Sequence, residues 1–204
     1  AHLIKNGAQA LLDHLMANDW ITHLATNGAS VIHDWEWAHH GRSTECVRSN
    51  VATGTFGAWE ETGRYLHLAL LAGAANDEGF GQSVGRMIAE DGVTLPKKAE
   101  LETQLRDEPG HPLSPARADL LQAMQQHDLA EGRHEISHQW KSSCVLGNAF
   151  AHKVPYTVHP GIGYDIISNH PMFNGAALGR AAQMDFATFG GAVEGLDGGV
   201  VLSV

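Results

Sequence analysis

The feature that most constrains this chain is a junction, present twice, at which a short apolar run opens into glycine, aspartate and histidine. The first junction spans residues 21–36 and the second spans residues 154–171. Short apolar runs bounded by turn residues are typical of buried strands. Because open α/β sheets bind their ligands beyond the carboxyl ends of their strands, we expect the functional site where these two runs end.

Helical and strand-like segments alternate along the chain, which predicts an α/β fold with a doubly wound, mostly parallel sheet and helices on both faces. Helices are predicted over residues 2–18, 30–40, 59–74, 79–90, 142–151 and 174–189, and strands over 20–26, 154–158 and 198–204. Residues 92–138 are polar and rich in proline, and we predict a helical insertion there. We expect residues 1–204 to form one domain, incomplete at both ends because the chain begins inside a helical pattern and ends inside an apolar run.

The charge balance narrows the classes of partner. A net charge of -10 argues against a nucleic acid or an anionic membrane, because either would need a surface of Lys and Arg. It favours a cationic small molecule. The two cysteines have no metal or redox spacing, and the chain has neither an apolar run of about 20 residues nor a signal peptide. We therefore expect a cytoplasmic protein.

At the first junction, the small residues Thr26, Asn27, Gly28 and Ala29 end a strand. Small side chains let the backbone approach a ligand, and the next helix offers free N–H groups to a phosphate or carboxylate. Asp34 and Glu36 follow about one helical turn later, where they would hold a ribose hydroxyl or an amine. The alternative is a solvated acidic face.

At the second junction, Asp165 and His170 lie on a corner between strand and loop. A histidine oriented by a carboxylate is able to take a proton near neutral pH. The alternative is a buried histidine satisfied by a backbone carbonyl. Glu60 and Glu61 need no active site, because carboxylates are favoured in the first turn of a helix.

Fourteen histidines suggest a metal site. His134 and His138 have the i, i+4 spacing of a helical ligand pair, and His33, Asp34 and His39 are candidate neighbours. Neither an HExxH nor a CxxC framework is present, so we predict no metal ligands. A metal-dependent hydrolase with clustered histidines remains an alternative.

Eight segments together resemble a known family. They are HLIK (2–5), THLATNGA (22–29), IHDWE (32–36), GTFGAWEETG (54–63), GIGYDII (161–167), NHP (169–171), DF (185–186) and GGV (198–200). In this order they resemble the deoxyhypusine synthase family, more closely its bacterial deoxyhypusine synthase-like branch. The similarity covers most of the chain apart from its polar middle.

The resemblance implies a Rossmann-like fold, a homotetramer, and NAD held at strand ends. In that family NAD accepts a hydride from spermidine, and an aminobutyl group then passes to a lysine. Thr26, Asn27 and Gly28 match the NAD loop, and we assign Ala29 and Gly163 to the cofactor with them. Asp165 and His170 match an element placed at the polyamine.

The sequence also departs from the family. The family's lysine follows the strand that matches 198–204, where this chain stops, and His159-Pro160-Gly161 replaces a Thr-Asp-Gly-Ser signature. We therefore expect NAD-dependent transfer of an aminoalkyl group from a polyamine such as spermidine to an amine acceptor. Asp34, Asp165 and His170 are the catalytic candidates, and Glu36, Asp165 and His170 contact the substrate. A divergent, non-catalytic binding protein is the other alternative.

Overall fold

The computed structural model describes residues 2–43, 45–57 and 59–204, of which 58% are helical and 7% lie in strands. The fold is mixed α/β. The α-helices are α1 His2–Lys5, α2 Gln9–Ala17, α3 Gly28–His40, α4 Val47–Thr53, α5 Glu60–Ala74, α6 Phe80–Ala89, α7 Lys98–Asp107, α8 Ser114–Gln126, α9 Val145–His152 and α10 Gly175–Glu194. The strands are β1 Leu24–Thr26, β2 Gly92–Leu95, β3 Gly132–Glu135 and β4 Tyr156–Val158.

The described strands form two separate pairs. β1 and β4 are parallel, with Leu24 opposite Tyr156 and Thr26 opposite Val158, so the two junctions singled out in the sequence are neighbours. β2 and β3 are antiparallel. A doubly wound sheet is not present in the described part of the chain. Residues 198–204, predicted as a strand, are irregular and exposed, and none of the described strands pairs with them.

Local signals explain where the helices begin and end. Asn27 caps α3 by accepting a hydrogen bond from the Ser30 N–H at 3.2 Å, and Gly41 ends that helix in the left-handed region, with φ of 68°. The helix predicted over residues 2–18 is instead two helices, because Gly7 has a φ of 79° that breaks the helical path.

Helix α5 runs through the centre of the hydrophobic core. Leu66, Leu68, Leu70 and Leu71 are all at most 2% exposed, which means that the second half of the helix is buried on every side. Trp35 of α3 packs into the same core. The burial fixes α3 and α5 relative to each other, and these two helices form the walls of the site described below.

The polar middle of the chain packs against this core. Along the chain, α7 and α8 lie between β2 and β3. Leu101 of α7 and Leu120 and Met124 of α8 are buried in the same hydrophobic core as α5. Two helices form within the polar region, together with an antiparallel pair of strands that was not predicted. Within the residues described, no helix is both long and apolar enough to cross a bilayer.

Candidate functional site

A cavity of about 700 Å³ opens between α3, α5 and the short 3-10 turn Ile166–Asn169. This volume lies within the range of small-molecule sites. Five of the residues predicted to contact the cofactor or the substrate line it: Ala29, Glu36, Gly163, Asp165 and His170. His33, which was considered only as a neighbour of a metal site, lines it as well. The second junction and one face of α3 therefore meet at one site.

Asp34 does not line this cavity. Its side chain is 0% exposed and caps α9, accepting hydrogen bonds from the N–H groups of Val145 at 3.0 Å and Leu146 at 2.6 Å. The Cys144 thiol donates to the same carboxylate at 3.2 Å. Burial raises the pKa of Asp34. The structure thus gives Asp34 a structural role at a helix N-terminus in place of the predicted contact with an amine.

Thr26, Asn27 and Gly28 are not among the residues that line the cavity either. The Asn27 side chain is committed to capping α3. Gly28 is buried against Asp165, since a Cβ added at Gly28 would lie 3.0 Å from that carboxyl group. The first junction therefore contributes to the site through Ala29 and through the residues further along α3.

The N-terminus of α3 does not fit the pyrophosphate of NAD. The Asp165 carboxylate already occupies the space beside Gly28, and its Oδ2 accepts a hydrogen bond from the Gly161 N–H at 2.8 Å. Asp165 is only 8% exposed. A second anion placed at this helix end would be repelled by the carboxylate that is already there.

One wall of the cavity carries a histidine and a buried glutamate, which we call the buried pair. His33 Nδ1 lies 3.5 Å from Glu36 Oε2, and Glu36 is 1% exposed. The two residues are three apart on α3 and so share one helix face. The Ser43 Oγ contacts both, at 3.1 Å from Glu36 Oε2 and 3.3 Å from His33 Nδ1.

A second wall of the cavity, formed by α5 and the segment after the 3-10 turn, carries another histidine and glutamate, which we call the exposed pair. His170 Nε2 lies 3.1 Å from Glu60 Oε2, whose side chain is 65% exposed. The Met172 N–H donates to His170 Nδ1 at 3.1 Å. Because Nδ1 is the acceptor, Nε2 carries the proton and donates to Glu60. This hydrogen bond from His170 lowers the pKa of Glu60.

His67 supports the exposed pair from the core side. Its ring stacks on that of His170 with 5.9 Å between centroids, and its Nε2 donates to the Ile167 carbonyl at 2.8 Å. Burial lowers the pKa of His67 to about 4. Gly63 of α5 lets His170 pack closely, since a Cβ there would lie 2.5 Å from the His170 ring.

The cavity lining is acidic and aromatic. Glu45 lies in the lining, accepts from the Trp59 indole N–H and accepts from Asn50 Nδ2 at 3.1 Å. With Glu36, Glu60 and Asp165 it makes four carboxyl groups around the cavity. Lys5 is the one lysine or arginine among the lining residues that the structure describes. This excess of carboxyl groups over basic groups favours a cationic ligand, and cations also interact well with the faces of aromatic side chains.

The histidine excess does not form a metal centre in the residues described, where no three His, Cys, Asp or Glu side chains are arranged to hold an ion. His134 lies on β3 and His138 beyond it, so the i, i+4 spacing of these two histidines is not that of a helical ligand pair. His138 accepts the Trp35 indole N–H at 3.1 Å, and His39 stacks on Trp35. Several histidines therefore pack around one core tryptophan.

Reasoning from the sequence missed part of the site. Glu60 was explained by the helix dipole alone, and Ser43 and His67 were not singled out. Gly63 offered a signal, because a glycine inside a helix is costly unless another group must come close. The partner of Glu60 lies 110 residues further along the chain, so sequence spacing does not reveal the pair.

Comparisons with protein-family models, with curated proteins and with solved structures found no match to this chain. The resemblance to the deoxyhypusine synthase family therefore stays a prediction.

Proposed function

We propose that the cavity binds a linear polyamine such as spermidine and that the protein transfers an aminoalkyl group from it to an amine acceptor. One observation carries the binding half of this proposal: four carboxyl groups, Glu36, Glu45, Glu60 and Asp165, surround one cavity, and its described lining holds a single lysine. Protonated amines are the small-molecule ligands that this charge pattern attracts.

The reaction type comes from the family resemblance, in which NAD accepts a hydride. NAD stays part of the proposal, but the geometry restricts where it binds. At the α3 N-terminus NAD would have to displace the Asp165 carboxylate, which lies beside Gly28. The titratable groups that lie in contact with each other in the cavity lining are the two histidine–glutamate pairs.

Titration calorimetry with spermidine and with NAD tests the proposal on native protein and on Asp165→Asn. We expect spermidine to bind, and to bind about tenfold more weakly to the variant because one carboxylate is lost. NAD binding should change in the opposite direction. Glu102→Gln, an exposed position on α7, removes the same charge outside the cavity and is the matched control.

The outcomes separate the alternatives. Equal spermidine affinity in Asp165→Asn and Glu102→Gln would contradict binding in the cavity. Spermidine binding without any product, in the presence of NAD and an acceptor amine, would favour the divergent binding protein. Zinc-dependent hydrolysis that chelation abolishes would favour the metal-dependent hydrolase.

The finer prediction for the fold, a Rossmann-like doubly wound sheet, is part of this proposal. In the described part of the chain β1 has a partner strand on one side only. The open edge of β1 is where a further strand of such a sheet would pair.

We also propose a cytoplasmic homotetramer, as the resemblance implies. Phe186 and Val193 of α10 are 66% and 50% exposed, and apolar side chains of this size on one helix are typical of an interface. Cys46 and Cys144 are both free thiols, which agrees with a reducing compartment. Sedimentation velocity should give four times the mass of the chain, and a monomer at micromolar concentration would contradict the tetramer.

A further inference from the structure

The hydrogen bonds of the buried pair determine which nitrogen of His33 holds the proton. The Ser43 hydroxyl donates to Glu36 Oε2 at 3.1 Å. A hydroxyl has one proton to donate, so in its contact of 3.3 Å with His33 Nδ1 the serine oxygen is the acceptor. His33 Nδ1 therefore carries a hydrogen, and in the neutral ring Nε2 holds the lone pair.

The Nε2 lone pair of His33 lies on a side chain that forms part of the cavity wall. His33 lines the cavity and its side chain is 18% exposed. In the part of the chain that the structure describes, Nε2 makes no hydrogen bond. His170 on the other wall is the opposite tautomer, because its Nδ1 lone pair accepts the Met172 N–H and its Nε2–H donates to Glu60.

We propose that His33 is the base of this cavity and that Glu36 and Ser43 are its positioning residues. His33 Nε2 takes one proton from a bound ammonium group, giving a neutral amine and an imidazolium. The new positive charge lies beside the buried Glu36 carboxylate, which stabilises it. This assignment rests on the proposed function, because it takes a protonated amine as the proton donor.

The same geometry argues against a serine nucleophile. In a Ser-His-acid triad the serine and the acid contact different nitrogens of the imidazole. Here Ser43 and Glu36 both face His33 Nδ1, and the Ser43 proton is directed to the carboxylate. Ser43 thus holds the ring in one tautomer and is not activated by it.

Nitrogen NMR of ¹⁵N-histidine-labelled full-length protein at pH 8 tests the assignment, with resonances identified from His33→Gln and His170→Gln. We expect a hydrogen on Nδ1 of His33 and on Nε2 of His170. Ser43→Ala should move His33 measurably toward the other tautomer, whereas Ser142→Ala, an exposed serine elsewhere, should not. A hydrogen on Nε2 of His33 in the native protein would overturn the proposal.

Acylation by diethyl pyrocarbonate, which needs an accessible lone pair on nitrogen, gives a second readout by peptide mass spectrometry. His33 should react at least about fivefold faster than His170, and saturating spermidine should protect it. Faster reaction at His170 would overturn the assignment of His33. A third outcome is possible, in which the tautomers and the acylation rates are as expected but spermidine does not protect His33. That result would refute the amine as the proton donor, and with it the proposed function, but it would leave the assignment of the tautomers unchanged.

Discussion

The two walls of the cavity carry the same pair of residue types in opposite arrangements. In the buried pair the glutamate is inaccessible and the histidine ring is at the cavity surface, with Glu36 1% and His33 18% exposed. In the exposed pair the histidine is packed and the glutamate is open to solvent, with His170 9% and Glu60 65% exposed. The neighbours decide this difference: Ser43 contacts one ring, and the Met172 N–H and the His67 ring contact the other.

This difference in exposure between the two pairs shows that contact between a histidine and a glutamate does not by itself define a catalytic base. A buried carboxylate is able to stabilise a charge that forms on the neighbouring ring, because little solvent screens it. An exposed carboxylate is screened, and contributes less. The exposed pair is therefore suited to hold His170 in place, and the following changes separate the two roles.

The largest expected effect concerns His67, which supports the exposed pair. Its pKa in the folded protein is about 4, whereas the unfolded chain takes up the proton near the ordinary value of about 6.5. Acidification between these values therefore favours unfolding. His67→Gln keeps a donor for the Ile167 carbonyl and removes the titration. We expect native protein to lose up to about 3 kcal/mol more stability than the variant between pH 7 and pH 4.

Urea denaturation at both pH values measures this difference. His14→Gln, an exposed position on α2, is the control and should follow native protein. Equal acid sensitivity of native protein and His67→Gln would show that His67 is not the buried neutral group that the structure describes.

The second effect breaks the exposed pair and leaves the buried pair intact. Gly63→Ala puts a Cβ 2.5 Å from the His170 ring, and overpacking of this kind costs about 2 kcal/mol. Gly179→Ala is the matched control, since it is also in a helix but has no atom within 4 Å of the added Cβ. We expect it to stabilise the protein by up to about 1 kcal/mol. Thermal denaturation that ranks the two variants in the reverse order would contradict the packing of His170 on α5.

The third effect compares the two glutamates directly. Glu36→Gln should cost about 1 kcal/mol of stability, because the buried hydrogen bonds lose a charged acceptor. Glu60→Gln should cost less than about 0.5 kcal/mol, as expected for an exposed contact. Chemical denaturation at pH 7 measures both. A larger loss of stability for Glu60→Gln than for Glu36→Gln would contradict the burial of Glu36 and the exposure of Glu60.

The smallest effect concerns the lysine at the cavity. Lys5→Ala removes a positive charge from the lining, and we expect spermidine to bind about two- to fivefold more tightly. Arg106→Ala, exposed on α7, changes the net charge equally and should leave the affinity unchanged. Calorimetry at low salt is the measurement. Weaker binding to Lys5→Ala would mean that the lysine helps to hold the ligand.

Sequence patterns predicted the helices better than the sheet. Helix α5 was predicted within one residue of its observed start, since apolar side chains recur at helical spacing, and α3 was predicted with the correct end at Gly41. The strands were overestimated: residues 198–204 are apolar and β-branched, but a strand also needs a neighbour. The site was found in part, because residues close in sequence, such as Gly163 and Asp165, share one wall.

By itself, the sequence determined that Asp34 and Glu36 lie on the helix that follows the first junction, and it assigned both of them to one ligand. It also predicted parallel strands with polar junctions at their carboxyl ends, and β1 and β4 are such strands. Only the tertiary structure decided which of the two acids reaches the cavity. Asp34 caps α9 and is buried there, whereas Glu36 lines the cavity and contacts His33 and Ser43. The tertiary structure likewise paired His170 with Glu60. The reason is physical: burial and charge at a site come from elements that lie far apart along the chain, and local pattern does not record which elements pack together.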